Sequence, residues 1–228
     1  MITIEQVTRT YTMGEVKVEA LRGVDMTIDK GEFISIAGPS GSGKTTLLNI
    51  IGCIDTMDGG TVTIDGKDVG AMSKLEKADF RRNQLGFIFQ NYNLIPVLTA
   101  YENVSFALSL INLPKKEVKE RTMAILKEVG LEGMEDRLPS RLSGGQQQRV
   151  AVARALVKDP RIILADEPTA NLDSHTGEDV LKLMKAMNER HQTTFIFSTH
   201  DKMVMEYAKR LVLLHDGQIT EDTVRKEG

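Results

Sequence analysis

Three polar strings interrupt apolar runs in this chain, and each has residue types suited to phosphate chemistry. Residues 38–45, GPSGSGKT, follow the apolar run FISIA and lead into KTTLLNII. They fit GxxxxGK[ST], a pattern shared by many nucleotide hydrolases. Gly38, Gly41 and Gly43 let the backbone curl without Cβ clashes, so successive N–H groups point inward at phosphate oxygens. A helix opening at Lys44 adds its positive end. Lys44 supplies a point charge for β- and γ-phosphates, and the Thr45 hydroxyl suits Mg²⁺. Pro39, Ser40, Ser42 and Thr46 belong to the same loop and are expected nucleotide contacts.

The second string is Asp166-Glu167, at the end of the apolar run IILA. A carboxylate there can hold Mg²⁺ through water. Side chains alternate along extended backbone, so Glu167 should point elsewhere and can polarise an attacking water. Alone, the pair would also suit a helix N-cap. The phosphate loop upstream favours the metal-and-base reading. The third string, LSGGQ at residues 142–146, opens a helix with Ser143 as the cap, and Gly144 and Gly145 should expose backbone. A helix N-terminus is an anion site, worth about 0.3–1 kcal/mol when exposed and up to ~2 when partly buried. Yet the chain already has one phosphate cradle. No Asn-Lys-x-Asp string is present, which removes one common device for reading guanine and favours ATP.

Together these strings resemble the ATP-binding cassette (ABC) ATPases, with six motifs in family order from Tyr11 to the strand near Leu214. The resemblance implies that Ser143, Gly144, Gly145 and Gln146 face outward and complete the ATP site of a second ATPase subunit. It implies that His200 contacts the γ-phosphate, that Gln90 reaches Mg²⁺ and the attacking water, and that Tyr11 stacks on adenine. Residues 170–173, Ala-Asn-Leu-Asp, match the loop where two subunits meet, which makes Asp173 a nucleotide-proximal residue. Asn171 stands where many members carry alanine. The runs LRGVDMTIDKGEFISIAGPSGSGKTTLLNIIGCID and GFIFQNYNLIPVLTAYENV look like the lipoprotein-releasing, macrolide-exporting and cell-division groups. That implies a transmembrane permease partner of the mechanotransmission type, with a large extracytoplasmic domain.

Bulk properties argue against a chain that spans a membrane by itself. Its 228 residues are 41% hydrophobic and 27% charged, with a formal net charge of −3. No global basicity points to nucleic acid, and none is expected as partner. The single cysteine, Cys53, rules out an internal disulfide and reads as a small buried thiol in a reducing cytosol. The N-terminus alternates like a strand and lacks a signal peptide's apolar core. No run approaches the ~18 apolar residues that span a bilayer. The resemblance implies a location on the cytoplasmic side of the membrane, peripheral on its inner face.

These motifs need a scaffold that delivers three strand ends to one edge. Residues 2–34 read as strands, ITIEQV, VDMTI and EFISIA, with Tyr11 ending the first. Residues 44–51 read as a helix, and TVTIDGKDV as a hairpin turning at Asp65-Gly66. Lys115 to Val129 places Val118, Thr122, Ile125, Leu126 and Val129 on one helical face, stopped by Gly130. A second helix runs from Ser143 to Asp159-Pro160. The α/β alternation then resumes with RIILAD, GEDVLKLMKAMNER, TTFIFSTH and RLVLLHDG, and EDTVRKEG is read as a frayed tail.

The fold class expected is α/β: a P-loop NTPase core with a mainly parallel sheet, an antiparallel β edge and an inserted helical subdomain, as in ABC ATPases. One domain covers residues 2–228. Residues 1–90 and 159–228 form the nucleotide core, and residues 91–158 the helical lobe. Three readings of function stay open at this level. The first is an ATP-hydrolysing transporter subunit, in which the apolar stretch from Tyr92 to Tyr101 passes motion to the membrane partner. The second is a soluble ABC ATPase acting on DNA or ribosomes, disfavoured by the short lobe and single cassette. The third is a regulator that signals through a membrane partner without transport.

Overall fold

The computed structural model describes residues 1–14 and 16–225. Its centre is a sheet of β3 (Phe33–Ala37), β6 (Leu85–Ile88), β7 (Ile162–Asp166), β8 (Thr194–Thr199), β9 (Arg210–His215) and β10 (Gln218–Val224), in the order β10-β9-β3-β8-β7-β6. The β9-β3-β8-β7-β6 portion is parallel, and β10 pairs antiparallel with β9. Every residue of β3 and β8 is buried, as expected of strands covered on both faces. A second, antiparallel sheet combines β1 (Ile2–Met13), β2 (Val16–Ile28), β4 (Gly59–Ile64) and β5 (Lys67–Asp68) in the order β2-β1-β4-β5.

Seven α-helices accompany the sheets among the described residues: α1 (Lys44–Ile51), α2 (Lys74–Gln84), α3 (Ala100–Ser109), α4 (Lys115–Glu128), α5 (Gly144–Leu156), α6 (Ser174–His191) and α7 (Lys202–Tyr207). Two apolar cores result. One packs Ile34, Ile36 and Ile196 with Leu47 of α1 and with Ile2 and Val62 of the antiparallel sheet. The other joins Phe33, Phe195 and Phe197 to Val104 of α3, Leu126 of α4, Val150 of α5 and Met184 of α6. Phe33 and Phe197 meet with ring centroids 4.6 Å apart. Each buried ring contributes about 1.5–3 kcal/mol, so the helices that carry the signature string rest on the same core as the strands that carry the chemistry.

Several expectations need correction. Tyr11 lies inside β1, which continues to Met13, and β2 begins at Val16, eight residues before the VDMTI run. The first half of β2 is mostly exposed, Val16, Val18 and Ala20 alternating with Lys17 and Glu19, so its pairing with β1 is what makes it a strand. The C-terminal segment is not frayed through Val224. Arg210 donates Nε to Asp222 Oδ1 at 2.8 Å and Nη2 to Asp222 Oδ2 at 2.7 Å, which clips β10 to β9. Residues 226–228 of that tail lie outside the described residues. Helices α2 and α3 are additions to the elements expected from the sequence. The first has no buried residue and therefore no apolar stripe to read, and it is started by a Ser73–Glu76 capping box. The second opens on a Thr99–Glu102 capping box, so the stretch ending at Tyr101 runs into a regular helix.

Candidate functional site

The C-terminal ends of β3, β7 and β8 converge on a cavity of about 610 Å³. The phosphate loop contributes Pro39, Ser40, Gly41, Gly43, Lys44, Thr45 and Thr46. Gln90, Asp166, Glu167 and His200 close the far side, and Tyr11, Val18 and Ala20 come from the antiparallel sheet. Gly38 and Ser42 belong to the loop but do not line the cavity. Ser42 is 2% exposed. Gly43 sits at φ 104°, where L side chains are strained, and a Cβ would stand 2.3 Å from Ala20 O. Glycine is therefore demanded there by both conformation and space.

Lys44 is 7% exposed, and its Nζ donates to Gly38 O at 2.9 Å and Pro39 O at 2.8 Å. Burial pushes its amine down, opposed by the nearby Glu167 and Asp166 carboxylates. An anion in the cavity would relieve that desolvation. Thr45 Oγ1 lies 3.3 and 3.4 Å from the two Asp166 carboxylate oxygens, across from the loop. A hydroxyl beside a carboxylate is an oxygen donor set that fits Mg²⁺. Among the described residues no three His, Cys, Asp or Glu side chains gather as a metal site, so most ligands would come from phosphate and water.

Glu167 has the left-handed φ of 46°, held by its N–H to Ser198 O at 2.9 Å. Its Oε1 is 2.6 Å from His200 Nδ1, and its Oε2 accepts from Thr199 Oγ1 at 3.0 Å. The Glu167 side chain is 16% exposed and that of His200 68%. Asp166 faces Thr45 while Glu167 faces His200, so the adjacent carboxylates diverge as expected, but the left-handed turn after β7, not extended backbone, aims the second. A carboxylate at the cavity wall with an exposed imidazole beside it can accept a proton from water.

Tyr11 pairs with Val18 across β1 and β2, which brings both to the cavity mouth. Its hydroxyl donates to Asp55 Oδ2 at 2.5 Å and lies 3.4 Å from Thr46 Oγ1. The Arg9 guanidinium sits 4.8 Å from the ring centroid and is itself held by Asp55 at 2.8 Å and Asp58 at 2.9 Å. Arg9, Asp55, Val18 and Ala20 were missed in the sequence. The alternation of β2 around Val18 was the signal for the last two.

Ser143, Gly144, Gly145, Gln146 and Asp173 are absent from the cavity lining. Ser143 caps α5: its Oγ accepts from Gln146 N at 3.3 Å and its N–H donates to Gln146 Oε1 at 3.0 Å. Gly145 does not expose backbone as expected. It is buried against α6, and a Cβ there would stand 2.4 Å from Thr176 Cγ2. Asp173 caps α6 by accepting from Thr176 N at 3.0 Å and Thr176 Oγ1 at 2.6 Å, bonds that hold its carboxyl below the usual range. Asn171 Nδ2 donates to Gln90 O and Asn91 Oδ1, both at 2.9 Å. Tyr92 and Asn93 follow in left-handed backbone, their carbonyls held by Arg154 at 2.6 and 2.5 Å. The segments at Gln90, Gly144 and Asn171 thus form one junction, with Gly144 close against Tyr92 and Leu172.

A lysine-bearing glycine loop facing a strand-end carboxylate, at the C-terminal edge of a parallel sheet, defines a P-loop nucleoside triphosphatase. The chain belongs to the ABC transporter family, whose sequence model matches residues 21–170. It is 46% identical over 227 residues to the macrolide export ATP-binding/permease protein MacB of Brucella melitensis biotype 1, covering 100% of this chain and 35% of that protein. The chain therefore spans about a third of the length of such relatives. It is also 46% identical over 226 residues to an uncharacterized ABC transporter ATP-binding protein, MJ0796, of Methanocaldococcus jannaschii, with 97% of this chain and 96% of that one covered. A dimeric structure of the MJ0796 cassette in a post-hydrolysis state, bound to ADP and phosphate, superposes with a TM-score of 0.90 at 44% identity, covering 100% of both chains.

Proposed function

We propose that the chain is the ATP-hydrolysing subunit of a membrane transporter and works as a face-to-face dimer. The observation that carries this reading is the separation of its two phosphate-binding elements. The cavity holds the lysine loop, Asp166 and Glu167, while the capped N-terminus of α5 lies outside it with Ser143 exposed. A second copy presenting Ser143, Gly144, Gly145 and Gln146 to the γ-phosphate would complete each site, with Asp173 near the contact. The likeness to a dimeric ATP-binding cassette supports the same arrangement. Residues 91–158 carry α3, α4 and α5, which share an apolar core with β3, β8 and α6, and would turn as the signature-bearing lobe against a nucleotide core formed by residues 1–90 and 159–228.

In each closed site Tyr11 stacks on adenine, and the loop's N–H groups and Lys44 hold the phosphates. Thr45, Asp166 and Gln90 would hold Mg²⁺, which supplies charge neutralisation of the phosphate oxygens. Glu167 takes a proton from water as its oxygen attacks the γ-phosphorus in line. The bond to the β–γ bridging oxygen breaks, leaving ADP and phosphate. His200 steadies the γ-phosphate opposite Glu167. Loss of the shared triphosphate opens the dimer, and the segment from Tyr92 into α3 passes that movement to a permease.

Among the described residues no helix is long and apolar enough to cross a membrane. The permease part, with its extracytoplasmic domain, would be a separate segment or polypeptide, and the chain would sit on the inner face of the membrane. The single-chain relatives that combine ATP-binding and permease names support this pairing. Glu167→Gln tests the reading. It should bind ATP normally and lose turnover by roughly 10²–10⁴-fold, the worth of a positioned general base. Unimpaired phosphate release would remove Glu167 from the mechanism.

A further inference from the structure

Thr199 ends β8, immediately before His200, and is completely buried. Its Oγ1 lies 3.0 Å from Glu167 Oε2 and also 3.0 Å from the backbone nitrogen of Asp201. A hydroxyl carries one proton, and an ionised carboxylate only accepts. The Asp201 N–H already donates to this oxygen, so the threonine proton is left for Glu167. The direction of that bond is fixed by its surroundings.

The donor is also held in place. Asp201 accepts from Met203 N at 2.9 Å as the cap of α7, and from Thr169 Oγ1 at 2.9 Å. Thr169 stands two residues after Glu167, so the chain Thr199–Asp201–Thr169 closes a ring onto the loop that carries the carboxylate. The loop's strained backbone is braced separately, by Glu167 N–H to Ser198 O at 2.9 Å and by Gln148 Nε2 to Pro168 O at 2.7 Å. One carboxylate oxygen thus meets a buried, immobile donor. The other meets, at 2.6 Å, the His200 ring, whose side chain is 68% exposed.

We propose that Thr199 is a positioning residue for ATP hydrolysis: it anchors Glu167 by Oε2 and leaves Oε1, the oxygen beside His200, to take the proton from water. This rests on Glu167 being the base proposed above. When His200 turns toward a γ-phosphate, Thr199 is the contact that keeps the carboxylate from following.

Steady-state ATPase assays on the full chain compare wild type with Thr199→Val, Thr199→Ser, Glu167→Gln and Thr199→Val/Glu167→Gln, alongside melting temperatures. Valine keeps the branched shape and removes the donor. We expect kcat to fall roughly ten- to hundred-fold, the worth of a hydrogen bond to a charged group, with KM for ATP unchanged. Serine should restore kcat, and valine should cost nothing further in the Glu167→Gln background. If valine prevents folding, Thr199→Cys replaces it, and its weaker thiol donor should give the same loss confined to kcat. Glu167→Gln inactive with Thr199→Val fully active would overturn the role of Thr199 and leave the base in place. Equal losses for valine and serine, or a loss in KM, would reduce Thr199 to packing. A fully active Glu167→Gln would instead sink the base itself.

Discussion

Replacing Gly145 with alanine separates two jobs of the signature string. The added Cβ would stand 2.4 Å from Thr176 Cγ2, where carbon atoms normally settle at about 3.5–4.0 Å. Thr176 cannot simply rotate away, because its Oγ1 donates to Asp173 Oδ2 at 2.6 Å in the cap of α6. The clash leaves two outlets. Shifting α5 against α6 costs about 1–3 kcal/mol as overpacking. Surrendering the cap bond costs about 0.5–2 kcal/mol. Either way the loss falls near 0.5–3 kcal/mol, which for a chain of this size lowers Tm by roughly 1–12 °C. Thermal and urea unfolding followed by circular dichroism measures it. Thr176→Ser removes Cγ2 and keeps the capping hydroxyl, so Gly145→Ala/Thr176→Ser should recover most of the stability as a non-additive pair. ATPase activity of the stable double variant then reports the other job, contact with the partner's nucleotide, and should stay low. A Gly145→Ala protein as stable as wild type, or one indifferent to Thr176→Ser, would refute the packing argument.

Other outcomes follow from the same geometry. Arg9→Ala removes the cation held 4.8 Å from the Tyr11 ring centroid and should weaken ATP binding roughly two- to five-fold by calorimetry in a Glu167→Gln background. Unchanged affinity would count against Tyr11 as the adenine platform. Asp166→Asn should abolish turnover and make ATP affinity insensitive to magnesium, and a retained magnesium dependence would move the metal elsewhere. Lys158 carries an amine pushed down from 10.5 to about 8 by burial, with Nζ donating to Arg81 O and Arg82 O at 2.9 and 2.8 Å. Between those pH values the unfolded chain binds more protons than the folded one, so stability from this group rises with pH across the window. The stability of wild type relative to Lys158→Met, read from urea midpoints on either side of pH 8, should grow as pH rises. A constant difference would show that the lysine is solvated.

Much of the site was legible because its supports are covered on both faces. FISIA, IILAD and TFIFST are apolar runs too short for helices, and the buried strands β3, β7 and β8 put their polar successors at one edge. What escaped depends on contacts between distant parts of the chain. Val18 and Ala20 lie on a half of β2 that is mostly exposed, and only pairing with β1 brings them to the cavity. β10 has an exposed, charged sequence and is fixed by Arg210, which also reaches Glu32 at 3.1 Å. The reason for glycine at position 145 is a methyl group 31 residues away, on α6. Thr199 stood in plain view beside His200, but its role depends on where the Asp201 amide points. The capping box at Thr99 and Glu102 is written in the sequence, across the end of the apolar stretch from Tyr92 to Tyr101.

The most direct measurement is the mass in solution of the Glu167→Gln chain at saturating ATP, with and without magnesium. If triphosphate is gripped by the loop of one copy and the α5 N-terminus of another, the chain should be a dimer with ATP and revert to monomer with ADP. Ser143→Arg should prevent the dimer while the lysine loop of each copy still binds ATP on its own. A Glu167→Gln chain that binds ATP and stays monomeric would contradict the account.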